Sequence, residues 1–136
     1  MTKEQAASTI VRVVLGIIFF AHGLDKFNNG LENIAGWFAS IGLPGFVAYL
    51  VAIIELVGGI ALIIGLGTRY VSILTAIIML GAIGKVKLAN GLLGGGQGAG
   101  FELDLALLAM SVYLALTDTK ALSVDQLFQR SKTTAA

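Results

Sequence analysis

GFVAYLVAIIELVGGIALIIGL, Gly45 to Leu66, decides the class of this chain. A helix of that length rises about 33 Å, enough to cross a bilayer core of about 30 Å. One residue interrupts the apolar run, Glu55, close to its middle. A charged carboxylate at that depth costs about 2.5–3.5 kcal/mol or more. Such groups usually face a bundle interior and mark a proton, ion or ligand site. Buried without a cation, Glu55 would be protonated at neutral pH. It could then donate a hydrogen bond to a quinone carbonyl or relay a proton.

Composition extends this reading to the whole chain. Its 136 residues are 57% hydrophobic and only 12% charged, with a mean hydropathy of +0.90. A soluble domain carries about 25% charged residues. The expected product is therefore a single all-α domain over residues 1–136, an integral membrane four-helix bundle in contact with the lipid bilayer. A net charge of +1, without basic runs, gives no case for nucleic acid binding. Cysteine is absent, which excludes disulfides, thiol redox couples and thiolate metal sites. A lone histidine argues against haem held by two histidines and against a dedicated metal site. Any electrons must come through a cofactor or partner.

Four spans follow from the hydrophobic runs: about 9–24, 45–66, 70–88 and 101–117, with a polar tail over 118–136 and a short helix within it at 124–130. The first is read as an uncleaved span, because Ala21-His22-Gly23 makes a poor signal cleavage site. It is short, so Arg12 and His22 fall near its two interfaces, and Arg12 can snorkel to the headgroups. Between spans 1 and 2, Leu31, Ile34, Trp37, Phe38 and Ile41 share one helical stripe. This predicts a short interfacial helix ended by Gly42 and Pro44. Gly91 to Gly100 is glycine-rich but lacks the Gly-Lys-Ser/Thr ending of a phosphate loop, and reads as a flexible connector. In span 2, Gly58-Gly59 and the Ala61…Gly65 spacing allow close helix packing, within the fold or between protomers of a homo-oligomer.

Positive charge sets orientation. Lys3, Arg12, Arg69, Lys120, Arg130 and Lys132 share one side, against Lys26, Lys85 and Lys87 on the other. Both termini are expected in the cytoplasm, with Arg69 a topology determinant. The remaining ionisable groups then converge on the outer half. Glu55 and His22 are the candidate catalytic groups, and Lys26, Arg12 and Glu102 are candidate ligand contacts. Lys85 and Lys87 can pair with Glu102 and Asp104 across the glycine-rich connector, as a structural charge cluster.

These residues resemble a known family. Arg12…Gly16…Phe19-Phe20…His22-Gly23…Lys26 is similar to the first-span signature of the DoxX family. Glu55-Leu56-Val57-Gly58-Gly59…Leu62…Gly65…Thr68-Arg69 is similar to its second. Gly100-Phe101-Glu102-Leu103 and Leu122-Ser123-Val124-Asp125 resemble its C-terminal part. The resemblance covers nearly the whole chain. It implies a four-helix protein of the cytoplasmic membrane, with relatives in a thiosulfate:quinone oxidoreductase and in oxidative-stress complexes. Its matching polar positions are Arg12, His22, Lys26, Glu55, Arg69 and Glu102. Fold transfers across such a resemblance better than reaction does. Two functions are therefore carried forward. One is a quinone-binding oxidoreductase subunit fed by a redox partner, with quinone as its cofactor and no metal or haem. The other is a non-enzymatic scaffold or a small-solute binding or transport protein.

Overall fold

The computed structural model describes residues 1–95, 98–117 and 120–135, the last of these by backbone alone from residue 130. Its main elements are helices α1 (Lys3–Asn28), α2 (Leu31–Ser40), α3 (Gly45–Ile64), α4 (Thr68–Ala82), α5 (Glu102–Leu116) and α6 (Val124–Ala135). A two-residue antiparallel ladder, β1 (Gly94–Gly95) with β2 (Gly98–Ala99), precedes α5. The middle of the glycine-rich connector, 96–97, and tail residues 118–119 and 136 lie outside the described residues.

Three helical stretches are long and apolar enough to cross a membrane: Lys3–Asn28, Gly45–Ile64 and Thr68–Asn90. The third includes α4 and its continuation through a π turn at Ile83–Lys87 and a 3-10 turn at Leu88–Asn90. α5 has 15 residues and rises about 22 Å, less than a bilayer core. It packs along α4 and α1, while α3 packs on α1, α2 and α4.

Sequence explains most of the boundaries. Thr2 and Gln5 form a capping box on α1, with Thr2 Oγ1 accepting from Gln5 N at 3.1 Å and Gln5 Oε1 accepting from Thr2 N at 2.9 Å. α1 therefore begins earlier than the apolar run and ends later, at Asn28. Pro44 precedes α3, whose end is set by Gly65 in the left-handed region at φ 77°. α2 occupies the predicted stripe and lays Phe38 inward, leaving Trp37 half-exposed.

The molecule mixes apolar and polar side chains in its core and is apolar outside. Its core joins Leu15, Phe19, Leu62, Met79, Leu107 and Leu114. Buried with them are Ser8, Arg12, Glu55, Ser72, Thr75, Asp104 and Ser111. Ile17, Phe46, Ile53, Val57, Ile73, Ile77 and Leu80 point outward. Lipid makes that exterior inexpensive, and interhelical hydrogen bonds hold the polar core. Between α4 and α5, Thr75 donates to Ser72 O at 3.0 Å and lies 2.9 Å from Ser111 Oγ. Having given its proton to the carbonyl, Thr75 must accept from Ser111.

Glycine brings α1 and α3 into backbone contact. A Cβ on Gly16 would lie 2.7 Å from Gly59 O, and one on Gly23 would lie 2.5 Å from Leu56 N. A Cβ on Gly59 would lie against the amide nitrogen of Phe20. The close packing expected at Gly59 is thus made inside the fold. Backbone hydrogen bonds tie the described parts of the connector before α5. Besides the ladder, Phe101 N donates to Gly91 O at 3.2 Å and Glu102 N to Leu92 O at 3.0 Å.

Candidate functional site

A cavity of about 370 Å³ opens at the end of the molecule where α1 finishes, α3 begins and α4 runs into its π turn. Gly23 explains its central feature. Gly23 and Lys26 are three apart and share a helix face. Because the α3 backbone abuts α1 at Gly23, the Lys26 side chain is carried over Glu55. Lys26 Nζ lies 2.6 Å from Glu55 Oε2, and the Glu55 side chain is only 4% exposed. Glu55 is therefore not the uncompensated acid that its surroundings in sequence implied. It accepts from a lysine, and Lys26 is the donor placed toward the cavity.

A second ion pair lines the same space. Lys87 Nζ sits 3.2 Å from Asp104 Oδ1 and 3.1 Å from Oδ2, between the two carboxylate oxygens. Asp104 is buried at the start of α5. Lys85 lines the cavity too, although residues two apart on an α-helix face opposite ways. Lys85 is exposed and belongs to the rim, while partly buried Lys87 reaches inward from the same π turn, Ile83–Lys87. His22 completes the polar lining, and Phe19, Trp37, Phe38, Val47, Val51 and Ile78 supply much of the carbon wall. Trp37 and Phe38 meet edge to face, with ring centroids 5.5 Å apart.

The structure thus gathers His22, Lys26, Glu55, Lys85, Lys87 and Asp104 at one site. It does not bring Glu102 or Arg12 there. Glu102 is exposed, and the expected charge cluster reduces to one bonded pair, Lys87 with Asp104. The reason is helical phase: Glu102 and Asp104 are two apart on α5, so only one can face the cavity.

Arg12 lies about 21 Å along α1 from Lys26. It is 4% exposed and does not snorkel. Its Nη1 donates to Leu62 O at 2.8 Å and Ile63 O at 3.0 Å, and its Nη2 donates to Leu122 O at 2.8 Å. The first two are end carbonyls of α3, which its last turn leaves unpaired. Leu122 turns its own carbonyl to Arg12 by adopting φ 51°, unusual for a branched residue. Asp125 finishes this clamp. Its carboxylate accepts from Gly67 N at 2.9 Å and Thr68 N at 3.2 Å, capping α4, and its own N–H donates to Gly65 O at 3.1 Å. Arg69 lines a separate cavity of about 340 Å³ beside Asp125. Arg12 and the Leu122–Asp125 stretch are therefore joined in one architectural fastening.

That fastening can be tested. Arg12→Met is expected to lower stability in detergent by about 2 kcal/mol, from loss of bonds made by a charged donor. It should also expose the chain after Leu116 to limited proteolysis. Arg12→Lys should recover little, since one compact ammonium cannot serve carbonyls in a planar fork. Unchanged thermal melting and proteolysis in Arg12→Met would refute the role.

Sequence reasoning missed the Lys26–Glu55 pairing, the π turn and the fastening by Asp125. The first had a signal, because a buried membrane acid calls for a cation and Gly23 marks where α1 is approached. The π turn had none that residue type alone would give.

The DoxX family profile matches residues 7–88. The chain is 43% identical over 128 residues to "Putative oxidoreductase CatD" of Bacillus subtilis (strain 168), covering 94% of this chain and 91% of that protein. It is 29% identical over 133 residues to "Uncharacterized membrane protein Rv3486" of Mycobacterium tuberculosis (strain ATCC 25618 / H37Rv), with 90% and 82% covered. It is 26% identical over 129 residues to "Inner membrane protein YqjF" of Escherichia coli (strain K12), with 93% and 95% covered. No solved structure matches the chain significantly. The family profile runs from early α1 through the π turn, and so spans Lys26, Glu55 and the packing glycines: this chain is a membrane protein of the DoxX family.

Proposed function

We propose that this protein is a quinone-binding oxidoreductase subunit of the cytoplasmic membrane, with α5 as the fourth crossing and both termini cytoplasmic. The observation that carries this reading is the cavity at Glu55. It combines aromatic and aliphatic walls with two lysine–carboxylate pairs and a histidine. Its volume of about 370 Å³ suits a small organic headgroup, since ligand pockets run from about 300 to 1,000 Å³. The name of the Bacillus subtilis relative, an oxidoreductase, supports the redox class.

In this reading the headgroup lies beside Trp37 and Phe38, with one carbonyl toward Lys26. Lys26 donates a hydrogen bond to that oxygen, and Glu55 holds the ammonium in place. As two electrons arrive from a reduced partner protein, negative charge grows on the quinone oxygens. The lysine ammoniums stabilise it where water is scarce. Two protons then complete the quinol, and His22 on the cavity wall is placed to pass them in.

The test uses the chain's single tryptophan, Trp37, which lines the cavity. A short-chain quinone titrated into the purified protein should quench Trp37 fluorescence saturably. Glu55→Gln should weaken that binding about tenfold or more while the protein keeps its folded melting transition. Quinone extracted from the purified wild type should fall in parallel. Absence of both saturable quenching and extractable quinone, in a well-folded wild type, would reject the reading in favour of a scaffold or solute-transport role.

A further inference from the structure

Two ion pairs border the Glu55 cavity from opposite edges of the bundle. α1 packs on α3, α3 on α4, α4 on α5 and α5 on α1, which closes a ring of four helices. Lys26–Glu55 bridges α1 to α3, and Lys87–Asp104 bridges the π-turn continuation of α4 to α5. Those two contacts are opposite edges of the ring, yet both pairs line the same space. Charge alternates around it: lysine on α1, acid on α3, lysine past the end of α4, acid on α5. The other ionisable lining residues, His22 and Lys85, are exposed.

Each pair is neutral as a whole, so the cavity calls for no charge on its ligand. It offers hydrogen-bond donors at two ends instead. A lysine ammonium carries three N–H groups. Lys26 bonds one oxygen of Glu55, and Lys87 lies between the two oxygens of Asp104. The acid side chains are 4% and 7% exposed, whereas the lysine side chains are 22% and 28% exposed. The acids therefore lie deeper, and the ammoniums are the ends that a ligand can reach. Trp37 and Phe38 add flat aromatic wall beside them.

Resting on the proposed quinone site, we infer that the Lys87–Asp104 pair is its second end. Lys87 donates to the carbonyl opposite the one held by Lys26, and Asp104 keeps Lys87 in place. Lys87 is then a binding residue and Asp104 a positioning residue, rather than members of a structural charge cluster. The two-ended grip selects rings whose acceptor oxygens stand at opposite ends, as in a 1,4-quinone. An ortho-quinone carries both oxygens along one edge and would satisfy one lysine. A ring with a single carbonyl would do the same.

The test compares 2,3-dimethyl-1,4-naphthoquinone with 1-tetralone, a bicyclic ring of similar size that has one carbonyl. Each is titrated calorimetrically into the full-length protein, as wild type and as two variants that delete a whole pair. These are Lys26→Met with Glu55→Leu, and Lys87→Met with Asp104→Leu, neither of which strands a buried charge. Either deletion should weaken the dione about tenfold, the scale of one hydrogen bond from a charged donor. Tetralone should barely respond to loss of the Lys87–Asp104 pair, because Lys26 still serves its one oxygen. With the dione carbonyls isotopically labelled, both C=O stretches should be lowered in the infrared spectrum of the wild-type complex. One should return to its free position when Lys87 and Asp104 are replaced. If that double variant does not fold, Lys87→Gln supplies the same comparison: its neutral amide can bond Asp104, and the band shift from a charged donor should still be lost. Unchanged dione affinity and carbonyl bands without Lys87 would overturn the assignment while the quinone site stands. A dione that fails to bind well-folded wild type would reject the site, and this inference with it.

Discussion

Gly59→Val is expected to abolish the folded protein. A Cβ at Gly59 would meet Phe20 N and Cα and lie 2.8 Å from Gly16 O. These are backbone atoms of α1, so no side chain can rotate away. Relief would require α1 and α3 to separate along their whole contact, which also carries Gly16 against Gly59 and Ile63, and Gly23 against Leu56. Overpacking by side chains alone costs about 1–3 kcal/mol. A clash on backbone belongs with the exceptional losses above about 4 kcal/mol. Gly58→Ala provides the contrast one residue away. Its Cβ would lie 3.2 Å from a Val71 methyl, which can shift. Size-exclusion profiles and thermal melts in detergent should show aggregated or absent Gly59→Val beside near-normal Gly58→Ala. Equal behaviour of the two would mean that the α1–α3 contact is not the one described.

Lys26→Met is expected to cost about 3–4 kcal/mol, the range for removing one partner of a buried ion pair. The loss arises because Glu55, 3% exposed, stays behind in the span without its cation. Glu55→Gln should cost far less, about 1 kcal/mol. The lysine it leaves is 22% exposed and can extend to water. Removing both ends, in Lys26→Met with Glu55→Leu, should recover most of the loss. The cycle of these variants, followed by chemical denaturation in micelles, isolates the coupling. Equal costs for Lys26→Met and Glu55→Gln would contradict the buried pairing. The same asymmetry makes Glu55→Gln the cleaner variant for quinone binding, because it changes the site without unfolding the bundle around it.

Much of the helix plan was legible in order. The hydrophobic runs suggested four crossings, of which three helical stretches are long and apolar enough, and Gly42 and Pro44 mark the stop before α3. The stripe from Leu31 to Ile41 foretold α2, because a 3.6-residue period is a local property. Glu55 announced itself because a carboxylate in an apolar run has a local energetic cost. Arg12 misled for a related reason. Ten residues into α1, its proximity to the helix start looked like proximity to headgroups. Its true partners are carbonyls 50 and 110 residues away in sequence.

What the sequence determined by itself, then, is whatever depends on neighbours along the chain: membrane character, the order and approximate placement of the helices, and the solitary acid in α3. The tertiary structure decided which charges meet. Lys26 reaches Glu55 because Gly23 lets two backbones touch. Asp104 rather than Glu102 receives a lysine because of its rotational phase on α5. Side chains find partners across helices at distances set by packing to within an ångström or two, whereas charge and hydropathy along a chain fix only which helices exist and roughly where they lie.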